Sequence, residues 1–178
     1  MNVEKLFAKF EELKAKVNKY VDVKIPNNIQ LVFVRCGTSI FPTMDNAGVY
    51  DHTNRKLYMN LDWSLIHVDD EYQSIIVHEL RHCIQNEILD KVKEGKIIKD
   101  VNPQIKEWRK NFKNYIRFVT SDPEEIHIKH FLQPVELDAY AFAIALLKKE
   151  NLDEYFHLPE KCEEEIYKLA GTIYNKFW

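Results

Sequence analysis

The segment His78-Glu79-Leu80-Arg81-His82 has two histidines four residues apart, with a glutamate directly after the first. On a helix, residues four apart lie on the same face one turn apart, so both imidazoles can reach a single metal ion. Such nitrogen ligands suit Zn²⁺, which they bind at about 2.0–2.1 Å. Glu79 points slightly aside, toward a water beside the ion. The HExxH pattern therefore predicts a metal site.

The alternative interpretation of this segment is a surface helix that carries two histidines by chance. With 7 histidines in 178 residues, a shuffled chain contains HExxH roughly 0.03 times. Ile75, Ile76 and Val77 directly precede the motif, and a solvated helix face does not need such an apolar run. These observations favour a helix that lies under a cleft.

A catalytic zinc needs a third protein ligand and one open position. Glu136 is the best candidate. On a helix it shares one face with residues three, four and seven positions on: Ala139, Tyr140 and Ala143. The small residues Ala139 and Ala143 predict a close approach to the HExxH helix, which would bring the Glu136 carboxylate to the ion. The alternative is an alanine-rich core helix with an incidental glutamate in its first turn, where the helix dipole favours negative charge.

The HExxH segment and residues 136–143, which read Glu-Leu-Asp-Ala-Tyr-Ala-Phe-Ala, together resemble the gluzincin type of zinc metallopeptidase. The resemblance is closest to the small intracellular peptidases of the ImmA/IrrE group, whose third-ligand helix reads ExxAxxFA. It implies that His78, His82 and Glu136 hold zinc. It also implies that Glu79 is the general base toward an attacking water, and that the substrate is a protein or peptide.

The resemblance covers about residues 48–147 and has consequences for the fold. It implies an active-site helix under a small twisted sheet whose edge strand binds substrate in extended form. The segments around Val49 and Lys56–Asn60 are the candidates for that edge. Two polar helices in the long stretch between His82 and Glu136 are additional, and are expected to cover the cleft or to bind a partner.

The chain also departs from the family's pattern. No helix-turn-helix candidate accompanies the peptidase segment. Tyr140 stands where thermolysin-like enzymes carry an acid that supports a metal-binding histidine, and Asp138 lies two residues earlier. Another carboxylate or a backbone carbonyl is therefore expected to orient the histidines. Asp138 is expected in a salt bridge on the helix surface, with support of a ligand as the alternative.

Three further side chains are candidates for the chemistry. Tyr140 either donates its hydroxyl to the oxyanion of the tetrahedral intermediate or packs as an aromatic wedge between helices. His130, and less so His127, is a candidate fourth ligand or transition-state donor. Cys83 faces another side of the helix from the histidines and is expected in the core, because no neighbouring base supports it as a nucleophile.

The elements that must position these residues follow an α+β order. Apolar spacing and capping residues predict six helices. The first spans 3–20, and the second begins at Asp69 or Asp70, runs to about Val92 and is ended by Gly95. The others span 103–118, 123–132, Pro134 to about Asn151, and Pro159 to about Phe177. Strands are predicted at 29–34, at Val49-Tyr50 and at 56–60, the last two antiparallel. With no repeat or linker, we expect one zincin-like domain over 1–178 with a small antiparallel-rich sheet.

Composition narrows the class of protein. The chain is 46% hydrophobic and 30% charged with a net charge of −3, and no apolar run approaches the ~20 residues of a membrane span. Neither a signal peptide nor a basic surface for nucleic acid is expected. Three separated cysteines indicate reduced thiols and a cytoplasmic protein. Only four glycines and no GxxxxGK loop disfavour nucleotide chemistry.

The sequence thus predicts a zinc-dependent peptidase, with two alternatives open. One is a non-catalytic regulatory protein that keeps the same fold and uses zinc only for stability; an intact Glu79 argues against it. The other is a small interaction protein of a phage or mobile element whose acidic surface contacts a host factor.

Overall fold

The computed structural model describes residues 2–67, 69–96, 103–152 and 154–177. Within these ranges the chain forms seven α-helices and one three-stranded sheet, an α+β architecture. The elements are α1 (Val3–Lys19), β1 (Gln30–Val34), β2 (Gly48–Asp51), β3 (Lys56–Asn60), α2 (Leu61–Ile66), α3 (Asp69–Lys93), α4 (Pro103–Lys113), α5 (Glu124–Phe131), α6 (Pro134–Lys149) and α7 (Glu160–Lys176).

The sheet is mixed, with strand order β1-β3-β2. β3 pairs in parallel with β1, Gln30 lying opposite Lys56, and antiparallel with β2, Gly48 lying opposite Met59. The expectation of an antiparallel-rich sheet is wrong for the β1–β3 pair. Apolar patterning predicts strands but not their direction, and the long connection over residues 35–47 lets the β2–β3 hairpin return with β3 beside β1.

Helix α3 carries the HExxH segment and lies at the centre of the molecule. Its side chains Tyr72, Ile76, Leu80 and Ile84, spaced by four, are at most 1% exposed and enter a core shared with α1, β1, β3 and α6. The hydroxyl of Tyr72 donates to the Leu6 carbonyl at 3.0 Å. This anchoring fixes the rotation of α3, and so the direction in which its histidines point.

Helix α6 is almost entirely buried and packs against both α3 and α7. Ala143 shares the core with α3, while Ala141 and Ala145 belong to a second cluster with α5 and α7. Ala139 and Ala143 are both 0% exposed. The close approach of α6 to α3 that these alanines predicted is confirmed.

Two elements differ from the sequence prediction. The helix predicted over 103–118 ends at Lys113, because the side chain of Gln133 binds the Ile116 backbone N–H at 3.0 Å and its carbonyl at 2.9 Å. Helix α2 was not predicted, being too short to show a period. Its signal is Asn60, whose side chain accepts a hydrogen bond from the Trp63 N–H at 3.2 Å.

The cysteines and the helix lengths also bear on the sequence predictions. Cys36, Cys83 and Cys162 form no disulfide, and Cys83 is 0% exposed, so its predicted place in the core is confirmed. No helix within the described ranges combines the length and apolar character needed to span a bilayer.

Candidate metal centre and its cleft

His78 and His82 on α3 meet Glu136 on α6. His78 Nε2 lies 3.1 Å from Glu136 Oε2, His82 Nε2 lies 3.1 Å from Glu136 Oε1, and the two Nε2 atoms are 3.0 Å apart. Ligand atoms about 2.0–2.1 Å from a tetrahedral ion lie about 3.3–3.4 Å from one another. The three largely buried side chains are therefore close enough to bind one metal ion, and we call them the candidate metal centre.

Gln85, on the same helix, determines which nitrogen of His82 carries the proton. Its Nε2 donates to Asp138 Oδ2 at 2.8 Å and to the Val135 carbonyl at 2.9 Å, so both of its N–H groups are used. Its Oε1 lies 2.9 Å from His82 Nδ1 and can only accept. A neutral His82 therefore keeps its proton on Nδ1, and the Nε2 lone pair is free for an ion.

Asp138 is buried, so its predicted place on the helix surface is wrong. Its carboxylate is 1% exposed and accepts from Arg81 Nε at 2.7 Å and Nη2 at 3.1 Å. It also accepts from Gln85 and Gln104. The salt bridge exists but lies inside the protein, because α3 and α4 both pack against α6. Asp138 supports His82 indirectly, through Gln85.

Glu136 is supported by Tyr115, in the loop after α4, whose hydroxyl donates to Glu136 Oε1 at 2.6 Å. Burial alone would raise the pKa of Glu136, but His82 and His78 hold it well below its ordinary value. Burial opposes a charge on His82, yet the Glu136 carboxylate outweighs this and raises the pKa of His82 to about 9. The cluster thus favours positive charge at its centre, from protons or from a metal ion.

His78 is held by packing. Its ring lies 4.7 Å from that of His82 and 4.2 Å from that of Tyr140, measured between centroids. Its Nδ1 is buried and has no hydrogen-bond partner among the described residues. Two imidazole nitrogens and one carboxylate form a donor set that fits Zn²⁺. Of the two histidines, only His82 has a hydrogen bond to a described residue that fixes its tautomer.

Glu79 lies beside the candidate metal centre but is not one of its members. Its side chain is buried, and burial raises the pKa of its carboxyl against the opposing charges of His82 and His78. A carboxylate with a raised pKa takes up a proton more readily near neutral pH, which is the property that a general base requires.

The edge strand β2 borders the cleft. The Asn60 N–H donates to the Ala47 carbonyl at 2.9 Å. Since backbone groups of consecutive residues point to opposite sides of a strand and those of Ala47 face β3, those of Gly48 and Tyr50 point away from β3. The Tyr50 N–H acts on Glu79, where it opposes the rise in pKa. The outer edge of β2 therefore presents backbone groups beside Glu79.

Gly48 packs closely against α3. A Cβ there would lie 2.9 Å from Met59 Sδ, 3.0 Å from Ile75 Cγ2 and 3.3 Å from Glu79 Cγ. We expect Gly48→Ala to lower the free energy of unfolding by about 1–3 kcal/mol in urea denaturation, because β2 must move away. Gly171→Ala in α7 is the control: its Cβ would meet no described atom within 4 Å and should stabilise by about 0.5–1 kcal/mol. Equal effects of the two changes would contradict this account.

The cleft has a volume of about 780 Å³. Its lining combines β2 and the loop before it, the candidate metal centre with Glu79, and four side chains near the end of α4: Phe112, Tyr115, Arg117 and Phe118. The long stretch between His82 and Glu136 therefore contributes part of the cleft lining. Its predicted roles, to cover the cleft or to bind a partner, stay predictions.

Tyr140 lines the cleft and also packs between helices, as the aromatic-wedge interpretation predicted. Its role toward an oxyanion stays a prediction. Its ring centroid lies 5.1 Å from that of Phe131 and 5.2 Å from that of Phe156. Burial holds the pKa of its hydroxyl well above the ordinary value. The hydroxyl therefore keeps its proton and is a hydrogen-bond donor.

His130 reaches the cleft but is not a member of the candidate metal centre. Its Nδ1 donates to the Ile116 carbonyl at 2.8 Å, and its Nε2 lies 3.9 Å from Glu136 Oε2. Burial lowers the pKa of His130, so the neutral ring presents an acceptor to the cleft and not the predicted donor. His127 is half-buried and lies against the Val119 carbonyl, outside the cleft lining.

Sequence reasoning missed Gln85 and Tyr115. Gln85 is three residues after His82 on a helix, a spacing at which side chains touch, so its contact with the histidine was readable from the pattern. Tyr115 had no such signal, because it was assigned to a helix that ends before it.

Replacing Gln85 by leucine is expected to weaken zinc binding by about 10–100-fold, because His82 loses the partner that fixes its tautomer. Competition with a chromogenic chelator measures the affinity. Gln104→Leu is the control, since Gln104 also donates to Asp138, at 3.0 Å, but does not touch the histidine. An equal loss of affinity in both variants would show that Asp138, and not the His82 tautomer, determines zinc binding.

Comparison of the chain with models of known protein families, with curated proteins and with solved structures finds no match.

Proposed function

We propose that this protein is a zinc-dependent metallopeptidase of the gluzincin type, with a zincin-like fold similar to that of the ImmA/IrrE-like peptidases. One observation carries the proposal: two imidazole nitrogens and a carboxylate lie 3.0–3.1 Å apart in a cleft that Glu79 also lines. A helical HExxH with a glutamate adjacent to the metal ligands is one arrangement that supports metal-assisted peptide hydrolysis.

His78, His82 and Glu136 hold the zinc in this proposal. A bound zinc lowers the pKa of water toward neutrality and polarises the scissile carbonyl. Glu79 takes a proton from the attacking water on a carboxylate oxygen and delivers it to the amide nitrogen as the peptide bond breaks. The buried position and raised pKa of Glu79 support both transfers.

Two further groups of the cleft act on the substrate. The outer edge of β2 pairs with an extended peptide by strand addition, which uses backbone groups that β3 does not engage. Tyr140, whose hydroxyl keeps its proton, donates a hydrogen bond to the developing oxyanion. The neutral His130 has no N–H facing the cleft, so it is the weaker candidate for this role.

Metal content and cleavage together test the proposal. Protein purified without chelator is expected to contain one zinc per chain by elemental mass spectrometry. It should cleave members of an internally quenched peptide library, stop when a chelator is added, and recover with zinc. Folded protein that binds no added zinc, or zinc-loaded protein that cleaves none of the library, would reject the peptidase function.

A further inference from the structure

We propose that Arg117 recognises a carboxylate group of the peptide substrate. This inference rests on the proposed peptidase function and names the substrate class for the same cleft. The carboxylate belongs either to an aspartate or glutamate side chain or to the C-terminus of the peptide, and a guanidinium binds both in the same two-pronged geometry.

The backbone on both sides of Arg117 is anchored. Tyr115 donates its hydroxyl to a carboxylate on α6, and the Ile116 N–H donates to the side chain of Gln133 at 3.0 Å. On the other side, the ring of Phe118 packs against three rings of α5. Arg117 is itself exposed, yet it projects from a fixed stretch of chain, which limits where its guanidinium can lie.

The charge of Arg117 also distinguishes it. Among the described residues that line the cleft it is the one arginine or lysine. Three other arginines form ion pairs, namely Arg35 with Asp62, Arg55 with Glu87 and Arg81 with Asp138. Arg117 makes no ion pair with any residue that the structure describes, so its charge is available to a ligand.

Among the described residues, none of the acidic side chains that line the cleft forms an ion pair with Arg117. Asp51 accepts two hydrogen bonds from Asn54, and Asp45 accepts one from the Thr43 hydroxyl. Glu136 belongs to the candidate metal centre and Glu79 lies beside it. A peptide carboxylate would supply the missing counter-charge, and a lysine at the same position would be repelled.

Binding of defined peptides tests the proposal. The protein is zinc-loaded Glu79→Gln, and the probes are acetylated, amidated octapeptides in which each position in turn carries Glu, Gln or Lys. At one position, the Glu peptide is expected to bind about tenfold or more tighter than the Gln peptide, with Lys weakest. A second set with free C-termini separates the two sources: a gain on freeing the terminus identifies the terminal carboxylate.

Substitution of Arg117 must remove this preference. In the Glu79→Gln background, Arg117→Gln should bind Glu and Gln peptides equally, and Arg117→Glu should favour Lys. Arg109→Glu is the matched control, since Arg109 is exposed on α4 outside the cleft lining and the charge change is the same. A carboxylate preference that survives Arg117→Gln, binding that ignores carboxylates in both peptide sets, or no peptide binding at all overturns the proposal.

Cleavage by protein with Glu79 intact separates this failure from failure of the peptidase function. Wild-type protein that cleaves peptides regardless of charge keeps the peptidase function and rejects the role of Arg117. Carboxylate-selective binding that depends on Arg117, without cleavage of any selected peptide, rejects the peptidase function and keeps the recognition.

Discussion

Glu79→Gln is expected to lower kcat for peptide hydrolysis by roughly 10²–10⁴-fold, the usual contribution of a general acid–base group, while the protein keeps its zinc. Zinc should stay because Glu79 is not among the three residues of the candidate metal centre. The fold should be retained as well, since an amide of the same shape replaces a buried carboxyl, and burial already disfavours the charged form of that carboxyl. Turnover of a quenched peptide and zinc per chain are the two measurements.

Glu87→Gln is the matched control for this change. Glu87 lies two turns further along α3, is 8% exposed like Glu79, and pairs with Arg55 at 2.7 Å outside the cleft lining. It should lose a little stability and keep zinc and turnover. Full activity in Glu79→Gln would eliminate the general-base role, and loss of zinc in that variant would mean that Glu79 binds the ion.

The metal residues could be predicted because their signals are local. His78 and His82 are separated by one helical turn, and Glu136 is in the first turn of a helix whose alanines predict close packing. The structure brings these helices together with nitrogen and oxygen atoms 3.0–3.1 Å apart. Helix period and residue size were enough to predict this meeting without knowledge of the rest of the fold.

The supporting residues could not be predicted in the same way, because their roles depend on distant partners. That residue 138 is an aspartate does not indicate whether its charge lies on the surface or is buried between three helices. Tyr115 reaches Glu136 only because the chain leaves α4 at Lys113, and that departure is stabilised by Gln133. Here, hydrogen bonds between distant segments decided the structure against a local helical pattern.

The sheet shows the same limit at the level of topology. The strands around Gly48 and Lys56 are visible from alternation and turn residues, and their hairpin follows from a short polar connection. The parallel partner of β3 is β1, more than twenty residues earlier in the chain. Pairing over that distance depends on how the whole sheet packs on α3. This packing cannot be predicted from the sequence of any one segment.

The support of the two histidines is unequal. His82 is held by an amide, Gln85, whose two donors are used by Asp138 and a backbone carbonyl. His78 contacts Glu136 through Nε2 and otherwise packs against aromatic rings, and its buried Nδ1 has no described partner. A buried donor without an acceptor costs about 1–3 kcal/mol, so the His78 side of the candidate metal centre is the less stable one. Glu136 contacts both histidines at 3.1 Å and connects the two sides.

Glu136→Ala is therefore expected to remove most of the stabilisation by zinc. In free zinc about 1,000 times its Kd, wild-type protein gains about 4 kcal/mol, which corresponds to about 8–16 °C in Tm for a chain of this size. Loss of one ligand should raise Kd by roughly 10²–10³-fold. This corresponds to about one quarter of the binding free energy of a four-ligand site. At the same zinc concentration the variant should then gain only about 0.4–1.4 kcal/mol. Thermal unfolding with zinc and with chelator measures both.

Glu136→Gln separates ligand loss from damage to the core. The amide fills the same space and its oxygen still accepts from Tyr115, so this variant should melt close to chelator-treated wild-type protein and yet respond weakly to zinc. A full zinc response in both folded variants would remove Glu136 from the site, and the ion would then have to be held elsewhere. Because Glu79→Gln should keep zinc and lose turnover whereas Glu136→Gln should lose both, the pair distinguishes the proton-transfer role from the ligand role, although the two carboxylates lie in one cleft.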